Sequence, residues 1–393
     1  MEPQKSHQKQ LLILSLIILA GAILRLFFLR GNNLWFDETS GICNAVNFFN
    51  FITSPVYNYR PLYLFLLNRW TEIFGITAVA SRMPSVLFGI GSILLIYKIG
   101  KELFNTEIGL ISSFILLVSC FHIYHSRQVR PESLLLFLIL LSFLFFIKFL
   151  YGKKLIYLIF NLLLNILIIY THPFGFSIAL IQELYTVTSY RAIEKPVLKK
   201  ILIYQTLLLF VLGILFFRNI ILQKHYFKSI LWWARVPTVA KIIETFQTFC
   251  YGGPKYGLET TSVRTCTSSV AYVAVIVFLA LFIKGLYTII KTKALTKIAN
   301  SGNLIILWLF LPPTLAFLFS YIFFPVYMVR TFLICLPAFY LVVSLGINFN
   351  NRLLFKIAIL SAIFIINIVP LNIIYTTNGN VDWGKVVLFM EQH

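Results

Sequence analysis

Two acids stand side by side in the stretch GNNLWFDETSGICNAV, Asp37 and Glu38, just after an apolar run. Asp37 and Asp382 are the only aspartates in the chain, so a carboxylate there is a rare event. Further on, YHSRQVRPES gathers His125, Arg127, Arg130 and Glu132, YTHPFGF places His172 at the end of an apolar stretch, and FPVYMVR ends on Arg330. A basic stretch over 218–268 contains the pair Trp232–Trp233. Two chemistries suit this set. The planar fork of arginine binds phosphate through paired hydrogen bonds, and a carboxylate can take the proton of an attacking hydroxyl. Brought together, these side chains would hold a phosphate and activate a hydroxyl. Each also has a plainer reading. Asp37 and Glu38 suit the first turn of a helix, as does Glu132 after its proline. Arg127 and Arg130 suit lipid headgroups, His172 suits a backbone partner, and the Trp pair suits an interfacial belt.

What must position them is a membrane bundle. Of 393 residues, 59% are hydrophobic and 12% charged, about half the charge of an ordinary soluble protein. With 39 Phe and 20 Tyr the chain is also unlike a disordered one. A span needs about 20 apolar residues, and that scale gives eleven: 11–29, 83–100, 108–125, 133–150, 155–171, 174–190, 201–219, 270–287, 303–323, 331–347 and 356–375. The first is too long for a signal-peptide core and has no small-residue cleavage site. The segment 61–75 is too short to cross and carries Arg69 and Glu72, so it reads as an amphipathic helix lying in the interface. No linker divides the chain, no internal repeat is visible, and the five cysteines have no metal-binding spacing. The expected fold is therefore all-α and polytopic.

Charge orients it. Lys and Arg total 33 against 13 Asp and Glu, a net charge of +20. With the N-terminus inside and 61–75 in-plane, the clusters at Lys98/Lys101, Lys148/Lys153/Lys154, Arg191/Lys195/Lys199/Lys200, Lys284/Lys291/Lys293/Lys297 and Arg352/Lys356 all fall in cytoplasmic loops. The motifs above then share the external face. Ionisable residues at membrane depth mark a site by default, and in a membrane protein the basic excess suits lipid and phosphate rather than nucleic acid. Residue types and positions alone stop at a polytopic protein with a polar external site.

The order of the segments resembles the GT-C superfamily of polyprenyl-phosphate-sugar glycosyltransferases, among them protein O-mannosyltransferases, lipid A aminoarabinose transferases and family-39-like bacterial enzymes. LWFDETSGI at 34–42 is similar to the family's LWFDEAxxL, and NYRPLYLFLLNRWTEIFG at 58–75 to HPPLYYxLLxxWxxLFG. SRMPSVLFGIGSILLIYKIGKELFN at 81–105, FHIYHSRQVRPESLLLFLILLS at 121–142, YTHPFGF at 170–176 and MVRTFLICLPAFYLVVSLGI at 328–347 continue the likeness, closely over about the first 180 residues and loosely beyond. The resemblance implies inverting transfer of a monosaccharide from a polyprenyl-phosphate donor to a hydroxyl on a lipid, glycan or protein. It implies Asp37 as general base or acceptor-positioning carboxylate, with Glu38 beside it as the catalytic pair. Arg60, Arg127 and Arg130 match basic positions suited to the phosphate, with Glu132 and His172 as further substrate contacts. Donor lipid, acceptor and membrane lipids are the expected partners; nucleic acid is not.

The chain departs from the pattern in three places. Where some relatives have an acid that helps bind a metal, this chain has Val56-Tyr57-Asn58-Tyr59, so the motif does not support a divalent metal. Only Pro61 follows Arg60, where two prolines are usual. Residues 1–375 read as the transmembrane domain and 376–393, which include VDWGKVVLFMEQH, as a short external tail, either that of a minimal member or the start of a soluble domain. The resemblance also implies the plasma membrane of a bacterium or archaeon, with the site facing outward. The competing expectations are a polytopic lipid or glycan transporter and an inactive relative within an envelope assembly.

Overall fold

The computed structural model describes residues 2–30, 34–53, 61–230, 235–252, 269–291, 301–350 and 352–376. Among these residues every regular element is a helix. The segment between α1 (Glu2–Leu26) and α5 (Ala78–Leu103) contributes α2 (Phe36–Val46), α3 (Phe48–Thr53) and α4 (Pro61–Phe74). Next come α6 (Thr106–Val118), α7 (Cys120–Ser126), α8 (Glu132–Gly152), α9 (Leu155–Thr171), α10 (Phe176–Thr188) and α11 (Lys195–Ile230). The last third holds α12 (Val239–Tyr251), α13 (Ser269–Lys291), α14 (Ser301–Ile322), a 3-10 segment Val329–Cys335, α15 (Leu336–Asn348) and α16 (Leu353–Thr376).

Helices occupy all eleven apolar runs, though not all of these helices reach spanning length. Among the described residues eight helical stretches are long and apolar enough to cross a bilayer, or nine if α6 and α7, bent by 64° at Ser119, form one span. α9 at 17 residues and α10 at 13 fall short of the usual length. α4 is amphipathic as expected: Tyr63, Leu64 and Leu67 are buried, while Phe65, Leu66 and Ile73 face out. α12 was not foreseen within the basic 218–268 stretch, and it buries Cys250. Cys266, Trp232–Trp233 and the tail 377–393 lie outside the described residues.

At the centre runs Val329–Asn348, 94% buried, against 22–33% for the peripheral spans in α1, α11, α13, α14 and α16. Packing between helices in a membrane depends on close approach of backbones. The pair Gly285 and Gly346 supplies it between α13 and α15: a Cβ on either would lie 2.0 Å from a carbonyl oxygen of the other helix. Buried amides tie α8, α9, α10 and α11. Gln182 Oε1 accepts from Asn161, Asn165 and Gln205 at 2.9–3.1 Å, while Gln182 Nε2 and Asn161 Nδ2 donate to Ser142 Oγ.

Contacts sort the loops into two ends. At one, Lys356 pairs with Glu107, Lys153 with Glu194, and the Tyr151 hydroxyl with the Glu102 carbonyl, all among the basic clusters. The other end collects the Asp37 loop, the 127–132 turn, His172 and Arg330.

Candidate active site

The first acid pair is split by helical geometry. Successive residues of a helix point about 100° apart, so in α2 Glu38 turns into the protein and Asp37 toward the surface. Glu38 is 1% exposed and takes a two-pronged grip from Arg82, Nε to Oε1 at 2.9 Å and Nη2 to Oε2 at 2.8 Å. The Val129 amide donates to Oε1 at 2.9 Å, and the Trp35 amide to Oε2 at 3.4 Å, closing the start of α2. Arg82 also donates to the Leu29 carbonyl at 2.9 Å. Glu38 therefore fastens three segments, the end of α1, the head of α5 and the 127–131 turn, around the first turn of α2. Sequence reasoning put Glu38 with Asp37 as a catalytic pair; in the structure its two oxygens are given over to these donors.

Asp37 is 29% exposed, and its Oδ2 lies 2.9 Å from Arg130 Nη1 and 3.7 Å from Arg330 Nη1. Neither ion pair uses Oδ1. Arg130 reaches Glu132 Oε1 at 3.4 Å with its other nitrogen and packs over the Trp35 ring, 5.9 Å from its centre. The turn 127–131 can hold this shape because Pro131 precedes α8, whose first residue, Glu132, faces the positive helix end. Tyr63 of α4 lies beneath, its hydroxyl paired with Ser85; burial first, and then Glu132, push that hydroxyl up from its ordinary value.

Beside this cluster opens a small cleft lined by Glu132, Leu135, His172, Met328, Arg330, Thr331, Leu333 and Ile334. His172 caps the end of α9, and its Nδ1 accepts from the Phe174 amide at 3.2 Å, which satisfies the backbone role anticipated for it and leaves the ring at the cleft wall. The structure thus brings Asp37, Arg130, Glu132 and His172 to one place and adds Arg330, whose motif was noticed without a role.

Arg127 points elsewhere. Its Nη2 donates to the Phe28 carbonyl at 3.1 Å, its guanidinium lies 4.5 Å from the centre of the Tyr375 ring, and its Nη1 is buried with no hydrogen-bond partner. Burial pushes it below the ordinary arginine value, which the neighbouring Tyr375 opposes. Arg60 and Val56–Tyr59 lie outside the described residues. Among the described residues, no three His, Cys, Asp or Glu side chains come together as a metal site. Arg82 and Tyr63 were also missed by the sequence reading. The one signal for Arg82 was a cation at the head of an apolar helix.

Comparison with solved structures bears on the architecture. The chain aligns with apo ArnT from Cupriavidus metallidurans at a TM-score of 0.57 and 11% identity, over 87% of this chain and 60% of ArnT. It aligns with the Archaeoglobus fulgidus oligosaccharyltransferase tethered to an acceptor peptide at a TM-score of 0.56 and 13% identity, over 98% of this chain and 57% of that one. The chain has the GT-C fold. ArnT bound to undecaprenyl phosphate gives a TM-score of 0.56 at 12% identity, over 85% of this chain and 60% of that one.

Residues 55–221 match the family described as dolichyl-phosphate-mannose-protein mannosyltransferase. The provisionally named mannosyltransferase YkcB of Bacillus subtilis (strain 168) is 28% identical over 175 residues, 40% of this chain and 23% of YkcB. The chain therefore spans about a quarter of that relative and under two thirds of the solved GT-C structures it matches.

Proposed function

We propose that this GT-C protein is a membrane glycosyltransferase that moves a monosaccharide from a polyprenyl phosphate to an acceptor hydroxyl, with inversion, at the outer face of the membrane. The observation that carries this reading is Asp37 held between Arg130 and Arg330, the second of which lines the cleft. The match to a mannosyltransferase family and the fold shared with ArnT bound to undecaprenyl phosphate support it.

In the proposed step the acceptor oxygen forms a bond to the anomeric carbon as the bond from that carbon to the phosphate oxygen breaks. The hydroxyl proton passes to Asp37 Oδ1, the oxygen that neither ion pair uses. The charge that develops on the departing polyprenyl phosphate is met by the guanidiniums of Arg130 and Arg330, fixed before the reaction begins. Glu132 and His172 line the cleft that takes the reacting groups, and Glu38 positions Asp37 rather than reacting. Arg60 and Arg127 remain proposed phosphate contacts, Arg127 away from Asp37, where its guanidinium meets the Phe28 carbonyl and the Tyr375 ring.

The test is transfer from a polyprenyl-phosphate-linked sugar in vesicles reconstituted with the full chain. Asp37→Asn keeps the shape and loses the base, and transfer is expected to fall by about 10²–10⁴-fold, the usual worth of a general base. Transfer at the wild-type rate overturns the role of Asp37. Lipid movement without transfer in the wild type overturns the enzyme.

A further inference from the structure

Arg25, near the end of α1, is completely enclosed, with 0% of its surface exposed. Among the described residues no carboxylate pairs with it. Its guanidinium instead donates to the Gly21 carbonyl at 3.0 Å through Nη1 and to the Leu116 carbonyl at 3.4 Å through Nη2. Nη2 also lies 2.6 Å from His122 Nδ1. Because guanidinium can only donate, that ring nitrogen accepts, which fixes His122 as the neutral tautomer protonated on Nε2. A buried cation without an acid is costly, so its surroundings must supply negative potential.

They do so at the elbow between α6 and α7. α6 ends at Val118, and Leu116 contributes one of its last carbonyls, at the negative end of the helix dipole. Helix kinks ordinarily come from Pro, Gly or an intruding group. The sequence Val118-Ser119-Cys120 offers neither Pro nor Gly; Ser119 starts α7 as its cap, and the side chain that meets the end of α6 there is Arg25. The other side of the elbow is capped by Ser119, whose Oγ accepts from the His122 amide at 3.3 Å and lies 2.8 Å from the Tyr340 hydroxyl. α5 is keyed to the same arrangement: a Cβ on Gly89 would lie 2.4 Å from Ser126 Oγ and 3.3 Å from Arg25 Nε.

We infer that Arg25 is a positioning residue for the Asp37 centre, acting by fastening the α6–α7 elbow. α7 is only seven residues long and leads straight into the turn whose Val129 amide meets Glu38 and whose Arg130 meets Asp37. Holding the carboxyl end of α6 and His122 together sets the angle of α7. That angle in turn sets where Arg130 is delivered. The kinetic arm of this inference rests on the proposed glycosyl transfer; the structural arm does not.

The experiment compares wild type with Arg25→Met and Arg25→Lys, each as the full chain in lipid nanodiscs. Hydrogen exchange is read over residues 119–131 and over the other helices, beside thermal unfolding and transfer kinetics. In Arg25→Met, exchange at the 119–131 amides, Val129 included, is expected to rise about tenfold or more through local opening, with the remaining helices and the unfolding temperature close to wild type. Transfer is expected to lose roughly a hundredfold in kcat, the cost of misplacing a reacting group by about 1 Å, with KM little changed. Arg25→Lys, which keeps the charge on a single nitrogen in place of the fork, falls between. If Arg25→Met does not fold, Arg25→Lys and His122→Phe carry the same exchange test. Unchanged exchange at 119–131 in a folded variant overturns the inference, and so does a rise spread evenly over all helices. A wild type with no transfer counts against the proposed function alone, and the exchange comparison still decides the role of Arg25.

Discussion

Replacing Arg82 by Met should unfold this protein more readily than any surface change, and the structure sets the scale. Arg82 and Glu38 are 4% and 1% exposed and share two hydrogen bonds of 2.8–2.9 Å. Solvent screening, which reduces exposed ion pairs to about 0–1 kcal/mol, is therefore absent. Arg82→Met leaves Glu38 inside the protein without its cation, with the amides of Val129 and Trp35 as its described donors. Stranding one member of a buried pair costs about 3–5 kcal/mol, and that is the expected loss. Removing both charges is far milder, because an apolar pair of similar volume is often neutral or better. Arg82→Met with Glu38→Met should thus recover most of the loss, short only of the bonds to Leu29, Val129 and Trp35. The measurement is a double-mutant cycle by equilibrium unfolding in mixed micelles, followed by tryptophan fluorescence. A single-variant loss below about 1 kcal/mol, or a double variant as unstable as the sum of the singles, would refute the claim that this clasp holds the loop.

Two further outcomes concern the bundle. Gln182→Leu removes the acceptor shared by Asn161, Asn165 and Gln205 and should cost about 1–2 kcal/mol in the same unfolding assay, without changing KM. Gly285→Ala puts a Cβ 2.0 Å from the Val342 carbonyl oxygen and should abolish recovery of folded protein in size-exclusion chromatography, whereas Gly213→Ala, whose Cβ would meet Phe176 at an ordinary 3.8 Å, should be tolerated.

The helical architecture was legible because lipid demands long apolar runs with satisfied backbones, and each of the eleven runs became helix. The shortness of α10 and the elbow at Ser119 were not: Ser119 can cap a helix start, but apolar residues run on both sides of it and hide the break. A side chain 94 positions earlier, Arg25, takes part in that break. At the site, the loops and their charges could be read directly, and Asp37, Arg130, Glu132 and His172 do converge. The division of labour between Asp37 and Glu38 could not, because it depends on the rotational phase of α2, which hydropathy does not report. Arg127 illustrates the same limit: it lies three residues from Arg130, yet the turn sends its guanidinium to Tyr375.

A ribosome delivers α8, α9, α10 and α11 one after another, yet their amides form a single knot. Gln182 reaching lipid alone would carry an unsatisfied amide, and so would Asn161 and Asn165 before it. Gln205, the last to emerge, completes the set through its bonds to Asn161 and Gln182. The order of synthesis thus sets a waiting time: these helices gain least by entering the bilayer singly and most by entering as a group, so that biogenesis of this protein hinges on how long the insertion machinery shelters a half-assembled polar core.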